Sequence, residues 1–114
     1  PRAACNVAIE EASSAIVGFQ GYELHANLPD HIADISTFVR IGEKSRGIGR
    51  QLCDFTFKST GANGFTEINA AIRADNFEGL AFYSRMGFRD HSVLRAKPLK
   101  NGKRVDRILK RRPL

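Results

Sequence analysis

Between Glu43 and Leu52 the chain reads EKSRGIGRQL, with two glycines set among arginines where the residue pattern turns helical. Such residues at such a spacing can hold a phosphate. The first-turn amides of a helix have no partners inside the helix, and the helix dipole adds partial positive charge at that end. Gly47 and Gly49 would let a pyrophosphate approach the backbone with no β-carbon in the way. Arg46 and Arg50 would add screening charge. Two phosphate patterns are excluded. The P-loop needs Gly-Lys-Ser/Thr after its first glycine and four residues, but Gly42 leads to Gly47 and Ile48. The dinucleotide fingerprint needs a third glycine where Leu52 stands. A third pattern, Arg/Gln-x-x-Gly-x-Gly/Ala at a strand-to-helix turn, is met by Lys44-Ser45-Arg46-Gly47-Ile48-Gly49 at all but its first position. Taken alone, the stretch reads equally as a plain helix start.

Other groups with chemical potential are dispersed. His25, His31 and His91 form no triad or metal spacing, and no metal is expected. Cys5 and Cys53 match no metal or redox spacing and read as small apolar fillers.

The elements that must position these groups follow from periodicity. Asn6–Glu11 alternates apolar and polar residues and reads as a strand. Ala15–Ala26, rich in β-branched and aromatic residues, reads as its antiparallel partner, joined through Ala12, Ser13 and Ser14. NLPD (Asn27–Asp30) is turn chemistry. His31–Arg40 has apolar residues in both alternating sets and reads as a central strand covered on both faces. From Gly47 the spacing becomes helical, with Ile48, Leu52 and Phe55 on one face, and the glycines of Thr60–Gly64 stop that helix. Phe65–Arg73 is a strand and Phe77–Met86 a second helix, ended by Gly87. Two last strands flank Asn101-Gly102, a type I′ hairpin signal. The order βββ-α-β-α-ββ gives a mixed α+β fold.

The 114 residues suit one domain, spanning 1–114. A hydrophobic fraction of 42% and a charged fraction of 26% are those of a globular protein. No apolar run is long enough for a membrane helix. The opening PRAACNVAIEE carries no signal-peptide segment, so a cytoplasmic setting is expected. The net charge of +6 suits either a nucleic-acid or membrane surface or a pocket for a small polyanion. Its densest part runs from Lys97 to Arg112 and reads as a solvated hairpin and tail. That segment lacks the aromatics with which nucleic-acid sites stack bases.

Three linked motifs resemble the GNAT superfamily of acyl-CoA-dependent N-acetyltransferases. One is the glycine turn. The second is INAAIRADNFEGLAFYSRMGF (Ile68–Phe88), a strand, Asn76, then a helix ending in Tyr-x-x-x-Gly-Phe around Tyr83. The third is the strand ADISTFV before the turn, ending at Val39. Its spacing to Lys44, the acid at Asp34 and the closing SVLRAKPLKNGKRVDRILKR are similar to the phosphinothricin-acetyltransferase branch. The match runs from about Val7 onwards.

The resemblance implies a mostly antiparallel GNAT-like sheet flanked by helices, with acetyl-CoA as acyl donor. It implies that Phe38, Val39 and Arg40 offer backbone groups to the acetyl carbonyl and pantetheine. The amides from Ser45 to Arg50 (Ser45, Arg46, Gly47, Ile48, Gly49, Arg50), beside Lys44, would hold the pyrophosphate. Asn76 would touch the pantetheine arm, and Tyr83 would lie beside the sulfur. Lys44 stands where the family has Arg or Gln. The family also begins with a strand and one or two helices that have no room here. The fold is therefore expected to be short at its N-terminus, as a fragment, with its exposed sheet covered by a partner, or with a shallow site, and a homodimer is the favoured form.

Acetyl transfer to an amine needs a base for the ammonium, a donor for the thioester oxygen and a proton for the thiolate. Asp34 is the candidate base, directly or through water, with His31 in reserve. Tyr83 is the candidate acid. Tyr22 and Glu23, on the preceding strand, are candidates to face the acceptor. The leading reading is an N-acetyltransferase for a small amine, such as an amino acid or an amino-acid-like toxin. The competing readings are a non-catalytic acyl-CoA-binding or regulatory module and, third, a basic nucleic-acid binder.

Overall fold

A computed structural model of the chain describes residues 3–40, 47–98 and 100–114. Strands β1 (Ala4–Ile9), β2 (Ile16–Glu23) and β3 (Ile32–Val39) are followed by helix α1 (Ile48–Ala62) and strand β4 (Glu67–Arg73). Helix α2 (Phe77–Arg85) and strands β5 (Arg89–Pro98) and β6 (Arg104–Pro113) complete the chain order. The six strands form one sheet in the order β1-β2-β3-β4-β6-β5. Every pairing is antiparallel except β3 with β4.

Both helices lie on the same face of the sheet. Ile35, Ile68, Ala70 and Ile72 pack there with Cys53 of α1, Tyr83 of α2 and the following Met86 and Phe88. Val17, Ile48 and Leu52 form a second cluster, and Tyr22, Ala33 and Phe65 a third. Side chains alternate across a strand, so Asp34, Ser36 and Phe38 point to the other face. That face is open among the described residues: Phe38 is 51% exposed and Phe19, stacked on it at 5.4 Å, is 40% exposed. The central strand is thus covered on one face rather than two. Of the residues on that side Ile32 is buried at the start of the strand, Asp34 and Ser36 are polar, and Phe38 lies at the end with Val7 and Phe19.

Helix α1 buries Ile48, Leu52, Cys53, Thr56 and Thr60, a stripe of helical period. Phe55, expected on that stripe, points to solvent. The helix runs through Gly61 and ends at Asn63, with Gly64 at φ 87° just beyond, the left-handed residue of a helix C-terminus. The hairpin between β5 and β6 is not a two-residue type I′ turn. Pro98 pairs with Arg104, so five residues lie between. Of the Asn101-Gly102 pair only Gly102 has positive φ, and the Lys103 N–H donates to Asn101 Oδ1. Part of the basic segment is folded in rather than solvated. Lys110 is buried and bonded to Ser84 and Asp90. Arg112 lies over the Phe57 ring and donates to the Met86 carbonyl. Cys53 is buried, but Cys5 is exposed and fills no core space. No helix among the described residues is long and apolar enough to cross a membrane.

Candidate active site

The site begins where β3 and β4 part. They are paired from Ile32↔Glu67 to Ile35↔Ala70, yet β3 continues to Val39 and β4 to Arg73. Beyond Ile35 the backbone of β3 has an unpaired edge facing β4. Register decides which residues serve that edge. The Arg40 N–H donates to the Val17 carbonyl of β2. In an antiparallel pair both backbone groups of one residue point the same way, and the next residue's point the opposite way. Arg40 and Phe38 therefore face β2, while Val39 and Thr37 face the gap. Of the three residues expected to offer backbone groups there, only Val39 does. Thr37 is the second, and sequence reading missed it. Strand alternation alone pairs Thr37 with Val39; the β2–β3 register is what shows which set faces outward.

A groove of about 940 Å³ continues from this gap on the helix side, and its walls include Thr37, Val39, Gly47, Arg50, Asn76 and Tyr83. Gly47 takes φ 75°, ψ 12° ahead of α1, and no side chain among the described residues caps that helix. A β-carbon on Gly47 would meet nothing within 4 Å, so no described residue crowds the approach to the first-turn amides there. The two glycines have different uses. At Gly49 a β-carbon would lie 2.6 Å from Phe82 Cε1, so that glycine lets α1 and α2 meet. Ile48 buries its side chain beside Val17 and Leu52, which leaves only its backbone for a ligand. Arg50 is exposed on the groove wall. Lys44, Ser45 and Arg46, expected to bind the pyrophosphate, lie outside the described residues.

Asn76 caps α2: its Oδ1 accepts from the Gly79 N–H at 3.0 Å, as Asn does at helix starts. The cap occupies Oδ1 and leaves Nδ2 as the donor for an acceptor in the groove. Tyr83 projects from α2 towards β3, with its hydroxyl 2.7 Å from Thr37 Oγ1 and its ring against Phe82 and Phe88. Burial pushes its phenol up to about 12, an effect opposed in part by the Thr37 hydrogen bond. The phenol therefore keeps its proton at neutral pH but is a weaker acid than a free tyrosine.

Asp34 lies on the opposite face, three residues or roughly 10 Å back along β3 from Thr37. Its Oδ1 accepts from Asn69 Nδ2 at 3.0 Å, and Asn69 Oδ1 in turn accepts from Arg111 Nε at 2.7 Å. Glu23 is directly across from Asp34 in the β2–β3 register and shares that face. Tyr22 does not. Its side chain is buried under α1 with the hydroxyl bonded to Ser59 and Asn63, because neighbouring strand residues point to opposite faces. It is a core residue, and only Glu23 of that pair can meet an acceptor on the open face. His31 lies at the far end of β3 from the gap. No group of His, Cys, Asp or Glu among the described residues is arranged to hold a metal ion.

The family model described as an acetyltransferase (GNAT) domain matches residues 6–109. Among solved structures, the ribosomal-protein-alanine N-acetyltransferase of Brucella melitensis superposes with a TM-score of 0.85 at 23% identity, covering 96% of this chain and 68% of that one. A GCN5-related N-acetyltransferase of Kribbella flavida gives 0.83 at 24%, covering 100% and 69%. A GNAT-superfamily phosphinothricin acetyltransferase of Sinorhizobium meliloti, in complex with acetyl-CoA, gives 0.81 at 24%, covering 95% and 59%. At such identities the likeness is one of fold. No curated protein sequence matches this chain.

Proposed function

Because the chain belongs to the GNAT acetyltransferase family, whose reaction is acetyl-CoA-dependent acetyl transfer, we propose that it is an N-acetyltransferase for the amine of a small molecule, an amino acid or a compound like one. The observation that carries this reading is the parting of β3 from β4. It opens a gap between a groove on the helix face and carboxylates on the other face. An acyl donor and an amine can then meet from opposite sides.

The residues present fit acetyl-CoA. The space around the Gly47 α-carbon, which no described residue fills, admits a pyrophosphate to the first-turn amides of α1, and Arg50 supplies charge. Asn76 Nδ2 donates to a carbonyl of the pantetheine arm. Val39 offers its N–H and C=O to the same arm, and the Thr37 N–H polarises the thioester carbonyl as oxyanion character develops. Tyr83 donates its hydroxyl hydrogen to the sulfur as the C–S bond breaks and the C–N bond forms. With its phenol at about 12, this is a hydrogen bond that strengthens with the charge on sulfur rather than an early proton transfer. Asp34 takes the ammonium proton through water, because it is too far back along β3 to touch the amine at the gap. Glu23 adds a second negative charge that favours a cationic acceptor.

The test is release of free thiol from acetyl-CoA in the presence of a panel of small amines. Turnover with one amine class and not with others supports the reading. CoA binding with no turnover for any amine would make the chain a non-catalytic acyl-CoA-binding module.

We also infer a homodimer in a cytoplasmic setting. The unpaired thiols of Cys5 and Cys53 suit that compartment. Val7 pairs with Phe19 and Phe19 with Phe38, which makes an exposed apolar row across β1, β2 and β3, and a second copy could bury it. Light scattering should give twice the chain mass, and Phe19→Ser with Phe38→Ser should halve it. A monomer at every accessible concentration would remove this inference.

A further inference from the structure

Gln20 is fully buried on the helix side of β2. Its Nε2 donates to Thr37 Oγ1 at 2.9 Å and to Cys53 Sγ at 3.3 Å. Its Oε1 is buried with no partner among the described residues. A methionine would fill the same space without stranding a carbonyl. The amide therefore has a use beyond packing, and the neighbouring hydroxyl shows what it is.

Thr37 Oγ1 stands between Gln20 Nε2 and the Tyr83 hydroxyl, and among the described residues these are its hydrogen-bond partners. A threonine hydroxyl has one hydrogen and two lone pairs. Gln20 fills one lone pair. Accepting that bond makes the Thr37 hydroxyl a stronger donor in its turn, and the Tyr83 oxygen lies 2.7 Å away to receive it. Thr37 therefore donates to Tyr83, and Tyr83 keeps its own hydrogen for the groove that it lines. We propose that Gln20 is a positioning residue that, acting through Thr37, turns the Tyr83 hydroxyl hydrogen out towards the groove. The proposal rests on the reading of Tyr83 as the group that meets the leaving sulfur.

The chemistry of the amide makes this sensitive to orientation. With Oε1 against Thr37 instead, Thr37 would donate to Gln20 and accept from Tyr83, and the phenol hydrogen would point inward. In the observed arrangement Cys53 Sγ takes one Nε2 hydrogen, at 3.3 Å, while Thr37 takes the other.

The test uses Gln20→Met in the full chain. The protein has two tyrosines, Tyr22 and Tyr83, so ¹³Cζ-tyrosine labelling gives two signals that Tyr83→Phe assigns. In the wild type the Tyr83 hydroxyl should exchange quickly with solvent. In Gln20→Met its Cζ signal should shift and its exchange slow, with Tyr22 unchanged. In turnover, kcat should fall by about tenfold with an unchanged KM for acetyl-CoA, one decade of the roughly 10²- to 10⁴-fold that a general acid supplies. Gln20→Met added to Tyr83→Phe should cost nothing further, as for groups acting in one network. Thr37→Val should show the same non-additivity, and it serves if Gln20→Met does not fold. Slow exchange in the wild type, unchanged exchange in Gln20→Met, or losses that multiply in full would each overturn the proposal. Full turnover in Tyr83→Phe would instead overturn the acid itself, while the exchange measurement would still report whether Gln20 orients the phenol.

Discussion

Gly49 and Phe82 meet so closely that a β-carbon on the glycine would lie 2.6 Å from the ring. The contact pins the first turn of α1 to α2, and it does so inside the groove wall, which both residues line. Gly49→Ala should therefore act against its own helix propensity. The gain of up to about 1 kcal/mol from replacing a helical glycine is opposed by overpacking of about 1–3 kcal/mol. The net expectation is a lower melting temperature and weaker CoA binding. Phe82→Leu on top of Gly49→Ala should restore part of both, which thermal melts and calorimetric titration would read.

Gly47 makes a separate prediction, because its β-carbon would be strained by φ 75° yet touch nothing. Gly47→Asn keeps a residue that tolerates the left-handed region and puts a side chain into the phosphate approach. CoA affinity should fall by about tenfold, or 1.4 kcal/mol, with little change in melting. Gly47→Val should lose the same affinity and, in addition, about 1–2 kcal/mol of stability. Equal CoA affinity in both variants and wild type would remove the pyrophosphate from this turn.

Tyr83→Phe keeps the ring against Phe82 and Phe88 and removes the hydroxyl. Turnover should drop by roughly 10²-fold where chemistry limits the rate, with CoA affinity little changed. The pH dependence of stability gives an independent check. The Tyr83 phenol is raised from 10.0 to about 12 in the folded chain. Below pH 10 both folded and unfolded phenols hold their protons, and the full contribution is present. Between these values the unfolded chain binds fewer protons, so stability falls as pH rises. Urea unfolding on either side of pH 10 should show a decline that is shallower in Tyr83→Phe. The same slope in both would mean that the phenol is not held up by burial.

The glycine turn, Asn76 and the Tyr83 helix were legible because each stands at a local change that residue type announces: glycines where the spacing turns helical, an Asn just before a helix, a helical spacing. The element order was legible for the same reason. What was not legible depends on register. Phe38, Val39 and Arg40 look alike as consecutive strand residues, and only the β2 pairing shows that Val39 and Thr37 face the gap. Tyr22 and Glu23 differ by one position and so by a whole face of the sheet. Gln20 gave no signal, because a glutamine on a strand reads as polar surface until the helix above it is known. Gly49 read as a phosphate glycine because the partner that needs it, Phe82, comes a helix and a strand later.

Asp34→Asn separates charge from hydrogen bonding. The amide can still accept from Asn69 through Oδ1, so folding should hold. The lost charge should lower kcat/KM for the amine while CoA affinity stays as it was, and the loss should shrink as pH rises and more of the free amine is already deprotonated. A uniform loss at every pH would reduce Asp34 to a structural partner of Asn69.

β6 is made after β5 but lies between β5 and β4. During synthesis, every element that frames the groove leaves the ribosome before the strand that seals the flank of β4. Until β6 slides in, β4 has a bare edge and β5 has no neighbour at all. β6 is thus a keystone: cutting the chain before Arg104 would leave the earlier elements intact in sequence and yet without the piece that locks them into one sheet.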